Sequence, residues 1–295
     1  MYPDTGPSPR GPTGMTKNSK RRGPRERAGP IHFAAVGDVH GHMHTMVGQV
    51  QGAAEKLGVE VEFVLQVGDF EPHRDEDDLA TMCSPAKYRK LGEFADYHSG
   101  RARFPWPVHF IGGNHEPYGF LDRLRAGQAA ENCFFLGRVG RTKIKGLRVV
   151  ALSGIERARC LEGRPPIREI RSKRTKDYIG FTEDEVLQAA HAGPADVLLL
   201  HDWPQGVVRE ADAHQFSFGH RAGSIETIGN ASARFVVDEL KPNWVLCGHM
   251  HRSYRSEVQH RGGSVTSFAG LAKVGMPEAV AIFRREEGGQ VVELG

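Results

Sequence analysis

A chain of 295 residues with 39% hydrophobic and 25% charged content can bury a sizeable core, and it is not a small disulfide scaffold. The formal charge of +3 is unevenly placed: residues 1–30 carry seven Lys/Arg against Asp4 and Glu26, which leaves the remainder net acidic. Cys83, Cys133, Cys160 and Cys247 form no CxxC pair, no apolar stretch approaches a membrane span, and the N-terminus has no apolar secretory core. A reduced, cytoplasmic setting is expected, or a nuclear one if the basic tail is a targeting segment.

Residues 1–29 are rich in Pro, Gly, Ser, Thr and basic residues, without apolar periodicity, and are expected to be disordered. Ile31 to Val36 reads as a buried strand running into Gly37-Asp38-Val39-His40-Gly41-His42, followed by a helix over 43–57. Val61 to Val67 is a second strand, ending at Gly68-Asp69-Phe70. An acidic loop and a helix over 87–97 come next. Val108 to Ile111 is a third strand, ending at Gly112-Gly113-Asn114-His115-Glu116 before a helical pattern over 118–125. This alternation implies βαβ units and an α/β fold.

The middle of the chain changes character. Residues 133–136, 141–144 and 147–152 read as short strands with glycine turns between them, closed by Gly154-Ile155. Residues 156–178 are a long polar connection with eight Lys/Arg against four acids. Loops of that length are usually functional or mobile. Thr182 with Glu185 three residues on has capping-box spacing, and the helix it opens runs to about His191. Residues 196–200 form a strand ending at His201-Asp202-Trp203-Pro204, and residues 206–230 a loop. A helix over 231–240 leads to a strand over 244–247 that ends at Gly248-His249-Met250-His251. Strands over 264–268 and 279–283 complete the sheets.

Five times a strand ends and a metal-type ligand follows: Asp38 and His40, Asp69, Asn114 and His115, His201, then His249 and His251. Ligands in α/β sheets bind at such carboxyl ends. Carboxylate and amide oxygens mixed with imidazole nitrogens suit Mn, Fe or Zn. Seven donors besides His115 exceed what one tetrahedral ion uses; they suit two ions a few ångströms apart that share one carboxylate. Two such ions can clamp a phosphate and hold a hydroxide for in-line attack, while a histidine that is not a ligand protonates the leaving oxygen. His32, His98, His109, His191 and His260 lack this placement; His42, His44, His73, His214 and His220 stay undecided.

With GDVHG, GDF, GNHE, HDWP and GHMH in this order, the chain resembles the calcineurin-like metallophosphoesterases. Within them it is similar to the RNA lariat debranching enzymes over roughly residues 31 to 285. Gly68-Asp69-Phe70 with Arg74 and Asp78-Leu79 carries that likeness, as do Pro85-Ala86-Lys87-Tyr88-Arg89, Leu152-Ser153-Gly154-Ile155 and His201-Asp202-Trp203-Pro204. The resemblance implies a four-layer α/β/β/α sandwich of two mixed sheets over residues 30–295 and a dimetal site. It implies His40, Asp69, Asn114, His201, His249 and His251 as ligands, with Asp69 bridging, and His115 as the catalytic histidine near the leaving group. Asp38 stands where debranching enzymes commonly carry Cys, and as the general choice of the superfamily it should hold the first metal. Two divalent ions and a phosphodiester substrate follow, with a 2′,5′-phosphodiester in branched RNA first and another nucleotide, nucleic acid or phosphoester as the alternative. A metal-free binding scaffold of the same fold would be expected to lose ligands. Arg74 and the basic Arg168, Arg171, Lys173 and Arg174 are the candidate substrate contacts.

Overall fold

The computed structural model describes residues 29–85, 87, 89–216 and 228–295. The tail expected to be disordered, Gly29 apart, lies outside the described residues, as does His220. The first half of the chain supplies β1 (Ile31–Val36), α1 (Met43–Leu57), β2 (Phe63–Gln66), α2 (Glu76–Leu79), α3 (Phe94–His98), β3 (Val108–Phe110), α4 (Tyr118–Leu124), β4 (Gly127–Ala130) and β5 (Cys133–Phe135). The second half supplies β6 (Val139–Ile144), β7 (Leu147–Leu152), α5 (Ala158–Leu161), α6 (Glu183–Ala190), β8 (Val197–Leu200), α7 (Ala231–Leu240), β9 (Trp244–Cys247), β10 (Tyr254–Gln259), β11 (Val265–Gly270), β12 (Val280–Arg285) and β13 (Val291–Leu294).

The strands form two mixed sheets, ordered β13-β12-β1-β2-β3-β5-β4 and β10-β11-β9-β8-β7-β6. In each, a parallel centre is bordered by antiparallel strands: β1, β2, β3 and β5 run parallel in the first, and β7, β8, β9 and β11 in the second. Side chains alternate faces along a strand. Phe33 and Ala35 of β1 therefore meet Val197 and Leu199 of β8 and Leu246 of β9 in a core between the sheets. Ala34 and Val36 face the other way, onto Met43, Met46 and Val50 of α1. Leu198 and Leu200 likewise face Val186 and Ala189 of α6 and Val236 and Val237 of α7. The result is the expected helix–sheet–sheet–helix sandwich, with the ends of its parallel strands carrying the loops in which ligands are expected.

Some elements differ from expectation. Of the helix expected over 87–97, residues 89–93 are irregular and Phe94–His98 is helical; Gly92, at φ 67°, has a left-handed backbone that breaks a helix there and lies so close to Gly41 that a Cβ on it would stand 2.9 Å from the Gly41 Cα. The connection over 156–178 is broken into α5 and two short 3₁₀ turns. No helix among the described residues is long and apolar enough to cross a membrane.

The capping box of α6 is present, with Thr182 Oγ1 accepting from Glu185 N at 3.2 Å and Glu185 Oε2 accepting from Thr182 N at 2.9 Å. The same Glu185 carboxylate is gripped by Arg164, which also donates to the Gly180 carbonyl at 2.9 Å. Burial works against the charge on Glu185, but the Arg164 hydrogen bonds and charge outweigh it and lower its pKa. This ion pair therefore stabilises the fold above the ordinary glutamate value of 4.5, and the contribution is lost as pH falls through the lowered value. Arg164→Ala is expected to cost about 2 kcal/mol at pH 7, since the pair is mostly buried and Glu185 is left uncompensated. Urea denaturation at pH 7 and at pH 3 checks this, the difference between wild type and variant shrinking at the lower pH.

Candidate metal centre

Five loops converge at the carboxyl ends of β1, β2, β3, β8 and β9. Asp38, His40, Asp69 and His251 each offer a ligand atom, and these atoms all lie within 4.8 Å of one another. Asp38 Oδ2 is 3.0 Å from His251 Nε2 and 3.9 Å from His40 Nε2, and the two imidazole nitrogens stand 2.9 Å apart. Beside this group lies a second one that shares Asp69. His201 Nε2 is 3.4 Å from Asp69 Oδ1 and 3.1 Å from Asn114 Oδ1, and the His249 ring lies 5.0 Å from that of His201.

Each donor is aimed by its surroundings. His201 is fully buried, and its Nδ1 hydrogen-bonds the Val67 carbonyl at 2.9 Å, which turns Nε2 to the site. Asp38 Oδ1 accepts from His249 N at 2.9 Å, and Asp69 Oδ1 accepts from His115 N at 2.8 Å, so the loops are tied by the carboxylates themselves. Trp203, also fully buried, donates its indole N–H to the Gly248 carbonyl at 2.7 Å, bracing the last ligand loop. Two glycines are needed for these close approaches. A Cβ on Gly113 would stand 2.2 Å from Asp69 Oδ1, and one on Gly248 would stand 2.1 Å from Asp38 Oδ1.

The backbone is strained here. His40, Asp69, His249 and His251 take φ values of 47°, 51°, 66° and 53°, a region that side chains disfavour. Such conformations persist where function over-determines them. Charge is concentrated as well. Burial opposes ionisation of Asp69, but the neighbouring His201, His115 and His40 hold it well below the usual carboxylate range. Burial alone would lower His201, yet the charge and hydrogen bond of Asp69 raise it to about 10. Buried carboxylates facing imidazole nitrogens, with two of those nitrogens 2.9 Å apart, are a donor set suited to a divalent cation. The chemistry and spacing fit two divalent ions flanking Asp69.

The family profile of the calcineurin-like phosphoesterases matches residues 31–253. The chain belongs to that family. It is 32% identical over 253 residues to the lariat debranching enzyme of Arabidopsis thaliana, covering 82% of this chain and 60% of that protein. It is 31% identical over 258 residues to the lariat debranching enzyme of Entamoeba histolytica, covering 85% of this chain and 71% of that one. The chain thus spans well under the whole length of such relatives, and 48% of the one from Caenorhabditis briggsae. A solved structure 11% identical to it shares the fold, with a TM-score of 0.51 over 90% of this chain and 98% of the other.

Around this phosphoesterase centre the other candidates fall into place unevenly. The ring of His115 stands 5.5 Å from that of His40, edge to face, and makes no hydrogen bond with a described residue. Arg74 is held by Asp78 at 2.8 and 3.0 Å and lies 3.8 Å over the Phe120 ring. Arg171 pairs with Asp77 at 3.0 Å, Lys173 with Glu169 at 3.9 Å and Arg174 with Asp177 at 3.0 Å, while Arg168 is exposed and pairs with none of the described residues. The exposed Arg159 and Lys176, which the sequence reading did not single out, are also unpaired among the described residues. The basic segment is tied near the site at two points: Glu156 N donates to Asp202, beside His201, at 3.2 Å, and Arg171 pairs with Asp77 of α2, which follows the Asp69 loop.

Proposed function

We propose that this protein is a dinuclear metal phosphodiesterase that hydrolyses the 2′,5′-phosphodiester of branched RNA. The observation that carries the reading is the convergence of two donor groups on the one shared carboxylate of Asp69. Asp38, His40, Asp69 and His251 would hold one ion, and Asp69, Asn114, His201 and His249 the other, with Mn, Fe or Zn suited to the mixed donors. When bound, such ions supply Lewis acidity to the phosphate and acidify a coordinated water.

The chain's own residues do the rest. The ligand loops orient the phosphorus for in-line attack by water oxygen. As the bond from phosphorus to the ribose oxygen breaks, His115 delivers a proton to that oxygen. The basic segment over 156–178 lies alongside and can take the phosphates of a branch. The likeness to proteins named lariat debranching enzymes, over most of this chain, supports the choice of substrate.

The test is turnover with and without added Mn²⁺, Fe²⁺ or Zn²⁺ on a branched 2′,5′ RNA, a linear 3′,5′ RNA, a cyclic nucleotide and p-nitrophenyl esters. Metal-dependent cleavage fastest on the branched RNA is expected. A preference for any other member reassigns the substrate, and no metal-dependent turnover on any removes the enzyme reading. Neutralising Arg159, Arg168 and Lys176 together is expected to raise KM for branched RNA and flatten its salt dependence, because fewer phosphate contacts release counterions. The same change in Arg171, Lys173 and Arg174, whose charges are already met by carboxylates, is expected to do less. A small aryl phosphodiester, measured in parallel, should show neither effect.

A further inference from the structure

Behind His40 lies a pair of buried side chains that the reaction as described does not use. Glu71 follows Asp69 by two residues and takes a φ of 56°, which turns the chain back on itself. Its amide donates to Glu116 Oε2 at 3.0 Å, and its carbonyl accepts from His73 N at 2.8 Å. In this turn Glu71 Oε1 comes to 2.8 Å from His40 Nδ1, and Oε2 to 3.8 Å from His73 Nε2. His73 is completely buried, and neither of its ring nitrogens has a hydrogen-bond partner among the described residues. Imidazole nitrogens shut away from water without partners are costly. The Glu71 carboxylate is the acidic group facing His73.

We propose that Glu71 and His73 are positioning residues that set the orientation and tautomer of His40 for a divalent metal ion. A carboxylate on Nδ1 draws the ring proton there and leaves the lone pair on Nε2. Nε2 is the nitrogen that faces Asp38 and His251. The strained turn at Glu71 is what brings the carboxylate behind the ring rather than out towards α2. His73 stands behind the second oxygen. With its Nε2 3.8 Å from Glu71 Oε2 and its ring completely buried, it blocks the carboxylate from swinging away from His40. The proposal deepens the dimetal reading and rests on it through His40.

The experiment uses the full metal-free chain, titrated with Zn²⁺ against a chelating dye, together with ¹⁵N-histidine spectra of the zinc-loaded protein. Wild type is expected to bind two ions and to show His40 protonated at Nδ1 and zinc-bound at Nε2. Glu71→Leu is expected to weaken binding at one of the two sites by roughly 10- to 100-fold. Glu71→Gln, whose amide oxygen still accepts from Nδ1–H, should recover most of that loss. His73→Leu should weaken the same site less, and should add almost nothing in the Glu71→Leu background, because it acts through Glu71. Two bound ions in wild type with unchanged affinity in Glu71→Leu would overturn the relay while leaving the dimetal reading intact. A fully additive His73→Leu would remove His73 from it. Failure of the wild type to bind any ion would sink the dimetal reading itself. Should Glu71→Leu not fold, the wild-type spectrum decides: a proton on Nε2 with metal on Nδ1 overturns the proposal.

Discussion

His115→Ala is expected to lower kcat on branched RNA by roughly a hundredfold or more, the usual range for loss of a general acid. Metal content should hardly change, because the His115 side chain bonds to none of the described donors and only its backbone N–H serves Asp69. The loss should depend on the leaving group. A ribose hydroxyl is a poor one and needs the proton; p-nitrophenolate departs without it. The measurement is kcat for the two substrates side by side, with metal content determined on the same preparations. An equal loss on both would mean that His115 acts on the phosphate or on the metals instead of on the departing oxygen.

The second large effect is expected at Asp69, and it can be reached from two directions. Asp69→Asn removes the one carboxylate common to both donor groups and should weaken both ions, lowering turnover by roughly a thousandfold. Gly113→Ala leaves Asp69 in place, but its new Cβ would meet Asp69 Oδ1 at 2.2 Å and the His201 ring at 2.7 Å. The carboxylate must move, so this variant should approach the Asp69→Asn phenotype although it alters no proposed ligand. Metal analysis under saturating Mn²⁺ or Zn²⁺ checks both. A loss confined to one ion in Asp69→Asn would show that the carboxylate does not bridge, and full occupancy in Gly113→Ala would show that the loop relaxes.

The proposed ligands could be read before any coordinates because each stands just after a buried apolar strand, where the chain leaves the sheet: Asp38 after Ile31–Val36, and His249 after Trp244–Cys247. Parallel strands bring such ends to one side, so five separate sequence signals become one site. The missing parts are those whose partners are distant or whose meaning depends on a turn. Glu71 reads as one more acid in an acidic stretch until its positive φ folds it onto His40. The basic connection reads as free charge until Arg171 finds Asp77 and Arg164 finds Glu185. The strands β4, β10 and β13 give no clear sequence signal because they are short or half-exposed edge strands, and one such as Tyr254–Gln259 carries polar residues on one face. Composition alone does not separate the irregular residues 89–93, with the left-handed Gly92 among them, from the helix that opens at Phe94.

The left-handed backbone at His40, Asp69, Glu71, His249 and His251 has a consequence for how this protein evolves. A glycine at any of these positions would relieve about 1 kcal/mol or more of backbone strain, a gain visible to a screen for heat resistance wherever it exceeds the bonds that the lost side chain makes. Each such glycine would also delete a donor, or the group that aims one. A library selected for melting temperature in the presence of a chelator should therefore accumulate glycine among these positions and lose turnover, while a library selected for turnover should restore the original side chains. The map of positions on which the two selections disagree would outline the active centre without any measurement of metal or substrate.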